Sequence, residues 1–241
     1  DGNANFILED FKKAGIHTQY ILTSESEETG QAFITVDEAG QNTILVYGGA
    51  NMTLSATDVE MSADAFIGAD FVVAQLEVPF EAIEQAFKIA RKQNITTVLN
   101  PAPAIELPKS LLELTDIIIP NETEAELLTG ISINNESDMK ETATYFLDLG
   151  ISAVLITLGE QGTYCAYQEQ YKMIPACNVK AIDTTAAGDT FIGAFLSELN
   201  KDLSNIESAI RLANQASSLT VQRKGAQASI PTRKEVEAEY N

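Results

Sequence analysis

Apolar residues at Phe6, Ile7, Phe11 and Ala14 recur at helical spacing, and Gly15 follows as a stop, so the chain opens inside a helix. After a short apolar run at Tyr20 to Leu22, a period of two takes over. Ala32, Ile34 and Val36 alternate with Phe33, Thr35 and Asp37, Glu38 to Gln41 read as the turn, and Thr43 to Tyr47 return as a second strand. This hairpin is apolar on both faces, which suits a covered sheet, a lid or a dimer contact. From Phe71 onward, short apolar strands (Phe71 to Leu76, Thr97 to Leu99, Asp116 to Pro120, Val154 to Leu158) alternate with amphipathic helices (Phe80 to Gln93, Glu122 to Thr129, Asp138 to Leu149). Strands buried on both faces and linked by helices predict a doubly wound parallel α/β sheet. A second hairpin, Gly162 to Tyr167 with Tyr171 to Pro175, leads into helices over Thr190 to Leu199, Ile206 to Thr220 and Lys234 to Tyr240.

The chain has 241 residues, 45% of them hydrophobic, and a formal net charge of −20. That length and apolar content support a sizeable core and exclude global disorder. The charge repels phosphate backbones and anionic head groups, so neither nucleic acid nor a membrane is an expected partner. No apolar run approaches the roughly 20 residues that a membrane span needs. Charge is uneven: residues 1 to 60 and 61 to 140 each carry −8, residues 141 to 241 only −4. A small anionic ligand therefore meets its least hostile surface in the last segment. Cys165 and Cys177 lack metal or redox spacing and read as reduced thiols, which predicts a cytoplasmic setting. The single histidine, His17, falls in a helix-to-strand connection and reads as a loop residue.

The stretch richest in chemistry is Asp183-Thr184-Thr185-Ala186-Ala187-Gly188-Asp189, running into Thr190 to Phe195. Small residues at 186 to 188 allow a sharp turn at a helix start, where free N–H groups and the positive dipole end form an anion site. Asp189 in the first turn is either a plain N-terminal helix acid or a general base beside the anion.

This segment resembles the second signature of the ribokinase-like (PfkB-type) carbohydrate kinases. The likeness extends in order through Asn100-Pro101-Ala102-Pro103, Asn121-Glu122-Thr123-Glu124, Thr157-Leu158-Gly159 and Arg223-Lys224-Gly225-Ala226-Gln227. The resemblance implies a three-layer α/β/α sandwich with a small β-sheet lid: residues 1–27 and 48–241 as the nucleotide- and sugar-binding core, 28–47 as the lid. It implies ATP-dependent phosphorylation of a sugar, D-ribose in the branch whose motifs lie nearest, with Mg²⁺ and K⁺ as ions and a homodimer formed through the lid. Another sugar kinase, such as a fructokinase, and an ATP-binding unit without catalysis are the alternatives.

Carried over residue by residue, the resemblance makes Asp189 the base and the amides of Ala186, Ala187, Gly188 and Asp189 the phosphoryl-stabilising donors. Asn121 and Glu124 would hold Mg²⁺ and phosphate through water, although the same spacing makes a helix capping box. Thr157, Gly159 and Gly162 would form the nucleotide turn. Asn214 would touch the nucleotide, or else face solvent. Asp183, Thr185, Thr220, Arg223, Gly225 and Ser229 would form the monovalent-cation loop, with Asp183 as a turn cap and Arg223 as a surface cation in the plainer reading. Glu77 would be a sugar-side carboxylate, and Ala32, Ile34 and Ile44 the lid's contacts with the sugar. Family members open with a strand carrying a sugar-binding Asp and then Gly-Gly-Lys-Gly-Ala-Asn. Neither has a counterpart here, so the resemblance also implies a missing front and an incomplete sugar pocket.

Overall fold

A computed structural model describes residues 1–36 and 42–240. The expected turn over 38–41 lies outside them. The first helix, α1 (Gly2–Lys13), is capped by Asp1, whose Oδ1 accepts from the Ala4 N–H at 2.8 Å. Tyr20 to Leu22 form no strand and are exposed. Strands β1 (Gln31–Val36) and β2 (Asn42–Tyr47) pair antiparallel with Ala32 opposite Val46 and Ile34 opposite Ile44. They form a separate two-stranded sheet. Phe33, Leu45 and Tyr47, which share one face by register, are exposed, and so are Ala32 and Val46 on the other. At its described end, residues 32–33 and 45–47, the hairpin therefore exposes apolar side chains on both faces.

After α2 (Ala56–Met61) comes a six-stranded sheet: β3 (Phe71–Ala74), β4 (Thr96–Leu99), β5 (Ile117–Ile118), β6 (Ala153–Thr157), β7 (Gly162–Tyr167) and β8 (Gln170–Pro175), adjacent in that order. The first four strands are parallel, while β7 and β8 are antiparallel to their neighbours. The spatial order of these six strands follows their order along the chain. Each of the first three crossovers steps to the next strand, and a two-residue connection such as Gln168-Glu169 can only return antiparallel.

Alternate residues of each strand face opposite layers. Val98, Ile117, Ala153, Leu155 and Cys165 pack against Phe191, Phe195 and Ala213 of α7 (Ala187–Glu198) and α8 (Ile206–Thr220). Leu99, Ile118, Val154 and Ile156 face the other side, where α3 (Phe80–Lys92), α4 (Lys109–Glu113), α5 (Glu122–Thr129) and α6 (Glu136–Asp148) lie. The result is the three-layer α/β/α sandwich with a small separate hairpin. Phe87, Phe146 and Phe195 are fully buried, each contributing about 1.5–3 kcal/mol of transfer free energy. The chain ends in α9 (Arg233–Tyr240), seated through buried Val236 and a 2.6 Å contact between Tyr240 Oη and Ser218 Oγ.

Candidate functional site

Strand direction gathers the candidate residues at one edge. Glu77, Asn100, Asn121 and Leu158 follow β3, β4, β5 and β6, so all leave the carboxyl ends of the parallel strands. Because β7 is reversed, Gly162 begins and Pro175 ends at that same edge, where they pair. Open α/β sheets bind ligands at this edge.

The start of α7 is brought to the same edge through α8. Asn214 donates from Nδ2 to the carbonyls of Ile174 (3.1 Å) and Pro175 (3.2 Å) at the end of β8. Further along α8, Ser217 Oγ donates to the Ala187 carbonyl at 3.0 Å, and the Thr220 and Thr190 hydroxyls lie 3.0 Å apart. Asn214 is 7% exposed, and its Oδ1 accepts from the Thr163 hydroxyl at 2.9 Å. Neither a solvent-facing asparagine nor one with free polar atoms, it joins α8 to the β7–β8 hairpin.

At the α7 start, Ala186 takes the left-handed conformation (φ 60°) and offers no side-chain cap. The Ala187 N–H is used by Thr184 O at 3.2 Å, and the Thr190 N–H returns to Ala186 O at 2.9 Å. Between them, the N–H groups of Gly188 and Asp189 have no acceptor among the described residues. Both residues are exposed. Two open amides, the helix dipole and a carboxylate thus share one turn, an arrangement that holds an anion and can accept a proton beside it.

The turn before it is held by Asp183. Its Oδ1 accepts from Thr185 N and its Oδ2 from Gly225 N, each at 3.0 Å. These donors, the Gly225 amide foremost, hold its carboxyl down to about 2. The structure thus brings Asp183, Thr185 and Gly225 together. Thr220 is buried against Thr190, the Ser229 hydroxyl donates to Ala226 O at 2.6 Å, and the Arg223 guanidinium is paired with Glu235. Arg223 is therefore an anchored side chain rather than a free surface cation. No group of three acidic, His or Cys residues suited to a metal occurs among the described residues.

Asn121 and Glu124 form a complete capping box for α5. Glu124 Oε2 accepts from Asn121 N at 2.8 Å, Oε1 from Asn121 Nδ2 at 2.8 Å, and Asn121 Oδ1 accepts from Glu124 N at 2.9 Å. Burial raises the Glu124 carboxyl above its ordinary range, opposed by the Asn121 N–H. Each of these three oxygens accepts one hydrogen bond here and keeps a lone pair. Thr157 pairs with Asn121 across β5 and β6, and Gly159 follows, exposed.

Gly162 is buried at φ 111°, and a Cβ there would fall on the β8 end, 2.5 Å from Ala176 N and 2.7 Å from Pro175 C. Its close approach is to the chain's own backbone. Glu77 is exposed, its amide bonded to Gln75 Oε1 at 2.9 Å. Ala32 is exposed on the separate hairpin, where the backbones of Ile34 and Ile44 pair with each other.

His17 is exposed, as its loop position predicts. Both cysteines are free, and burial pushes the Cys165 thiol up to about 12. No described helix is long and apolar enough to cross a membrane. Glu235 went unrecognised although Thr232 three residues before it is a readable capping-box signal; the carboxylate accepts from Thr232 N and Oγ1 at 2.7 and 2.8 Å and from Arg223 Nη2 at 2.7 Å.

Comparison with known proteins gives the family and the fold. The family model described as pfkB family carbohydrate kinase matches residues 1–233. The chain is 64% identical to the ribokinase of Staphylococcus aureus over 236 residues, covering 98% of this chain and 78% of that protein. Among solved structures it is similar to ribokinase from Thermotoga maritima, with TM-score 0.86 and 34% identity over 99% of this chain and 77% of that one. It is also similar to Arabidopsis thaliana ribokinase complexed with ribose and ATP, with TM-score 0.83 and 33% identity over 93% of this chain and 73% of that one.

Proposed function

The chain belongs to the pfkB family of carbohydrate kinases, and we propose that within it the chain transfers the γ-phosphoryl group of ATP to the primary hydroxyl of D-ribose, giving ribose 5-phosphate. The observation that carries this reading is the α7 start, where two amides with no acceptor among the described residues and the Asp189 carboxylate stand in one exposed turn at the carboxyl-end edge of the sheet.

In the proposed reaction the hydroxyl oxygen attacks the γ-phosphorus in line and the bond to the ADP oxygen breaks. Asp189 accepts the hydroxyl proton as the new bond forms. The Gly188 and Asp189 amides, with the dipole of α7 behind them, stabilise the charge spread over the transferring group. The small residues Ala186 and Ala187 leave room for it.

Thr157, Gly159 and Gly162 border the nucleotide side, with Asn214 bracing that border from within. Glu77 and the hairpin residues Ala32, Ile34 and Ile44 stand on the sugar side, residues 28–47 acting as the lid over the core. The hairpin's second apolar face, with Phe33, Leu45 and Tyr47, suits pairing with a second copy into a homodimer. Mg²⁺ brings charge neutralisation to the triphosphate when bound, and Asn121 and Glu124 are the residues placed to hold it through water. The oxygen-rich loops at 183–185 and 220–229 suit K⁺. The acidic surface and free thiols support a cytoplasmic enzyme with neither nucleic acid nor membrane as partner.

The test is ADP release by the purified chain in the presence of ribose, 2-deoxyribose or fructose, alongside Asp189→Ala. Ribose-dependent release that falls at least ~10²-fold in the variant is expected. Unchanged release by Asp189→Ala sinks the mechanism, preference for fructose sinks the substrate, and ATP binding without sugar-dependent release reduces the chain to a nucleotide-binding unit.

A further inference from the structure

Among the described residues no hydrogen bond joins the C-terminal helix α9 to a candidate substrate-binding residue, yet polar contacts and one short backbone turn lead from it to the α7 start. Glu235 stands in its first turn and uses both oxygens: Oε2 closes the capping box with Thr232, and Oε1 accepts from Arg223 Nη2 at 2.7 Å. Arg223 lies in the turn that ends α8, its own N–H bonded to Thr220 O at 3.0 Å. Two residues on, Gly225 (φ 96°) directs its N–H to Asp183 Oδ2. Asp183 Oδ1 in turn fixes Thr185 N, the residue immediately before left-handed Ala186 and the open amides.

The far end of this series is firmly seated. Val236 is 3% exposed, Tyr240 meets Ser218 of α8, and Arg233 pairs with Glu198 at the end of α7 at 2.8 Å. Helix α9 is thus fixed on the same two helices whose junction it braces. From this geometry we infer that Glu235 is a positioning residue: through Arg223 it holds the 222–225 turn where Gly225 grips Asp183, and so sets the conformation of the turn that presents the Gly188 and Asp189 amides to a phosphate.

The inference rests on reading the α7 start as the phosphate site, and the two are separable by experiment. An exposed ion pair contributes little to global stability, so its loss is expected to leave the fold intact while loosening the turn. The measurement is the backbone amide NMR spectrum of the full chain and its Glu235→Gln and Arg223→Gln variants, followed by MgATP binding by calorimetry. Arg223→Gln removes the pair but leaves the α9 cap in place, so it remains informative if Glu235→Gln impairs folding.

Both variants are expected to shift the amides of Thr185, Gly188 and Asp189, to leave those of Glu124 and Ala125 at the α5 start in place, and to weaken MgATP binding about five-fold. Unmoved amides at 185–189 in both variants overturn the inference. So does a shift in Glu235→Gln that Arg223→Gln does not reproduce, since the effect then belongs to the helix cap. If MgATP fails to move the Gly188 and Asp189 amides of the unaltered protein, the phosphate reading falls instead, while the variant spectra still decide the positioning role.

Discussion

Asp183 and Gly225, 42 positions apart, are joined by a 3.0 Å hydrogen bond from the Gly225 amide to Asp183 Oδ2, and this contact ties the turn before α7 to the turn after α8. It needs an ionised carboxylate to accept from two amides at full strength.

The sign of its pH dependence follows. Asp183 is held down to about 2, below its ordinary 3.8, so its contribution to stability is complete above the unfolded value and is lost as the pH falls toward the folded one. Melting temperature measured from pH 5 to 2 is expected to fall less steeply for Asp183→Asn than for the unaltered chain, with the difference confined to that acid window. Parallel curves would refute it.

Ala186 adopts φ 60° without being glycine. A left-handed alanine costs roughly 1–2 kcal/mol, against a Gly entropy penalty of about 0.5–1 kcal/mol. Ala186→Gly is therefore expected to stabilise the protein by about 0.5 kcal/mol in denaturant unfolding, the reverse of the usual alanine-to-glycine effect.

Thr142 is fully buried on α6, and its hydroxyl has no hydrogen-bond partner among the described residues. Thr142→Val keeps the shape and removes the unsatisfied oxygen, so a gain of about 1 kcal/mol is expected in the same assay. A loss would show that the oxygen has a partner in solution.

Asn214 behaves oppositely. Asn214→Ala leaves the Thr163 hydroxyl and the Ile174 and Pro175 carbonyls short of a partner at the junction of α8 with the hairpin. A loss of about 2 kcal/mol is expected, together with a raised KM for ATP if the proposed nucleotide side is bordered by that junction.

What could be read along the chain divides by the sequence distance of the partners. Helix α5 was legible to the residue, since its cap, Asn121, and its stop, Gly130 in the left-handed region, are both local. The β7–β8 hairpin was legible as two short runs close in sequence even though its turn residues, Gln168 and Glu169, are not those a turn with two positive φ angles favours. The bracing contacts of Asn214 could not be read, because its partners lie 39 to 51 positions away. The same holds for Arg223, whose partner Glu235 lies 12 positions further on.

The change from parallel to antiparallel pairing at β6 carries a consequence for the order in which the chain assembles. Strands β6, β7 and β8 meet near neighbours in sequence, Thr157 with Thr163 and Tyr167 with Gln170, whereas Ile117 must find Ala153 across an intervening helix pair. Loop closure favours the near pairs, so this meander is the natural nucleus on which the parallel strands accrete. Relaxing its left-handed turn with Glu169→Gly is then expected to act on the folding limb of a chevron, speeding refolding about five-fold while leaving the unfolding rate nearly unchanged.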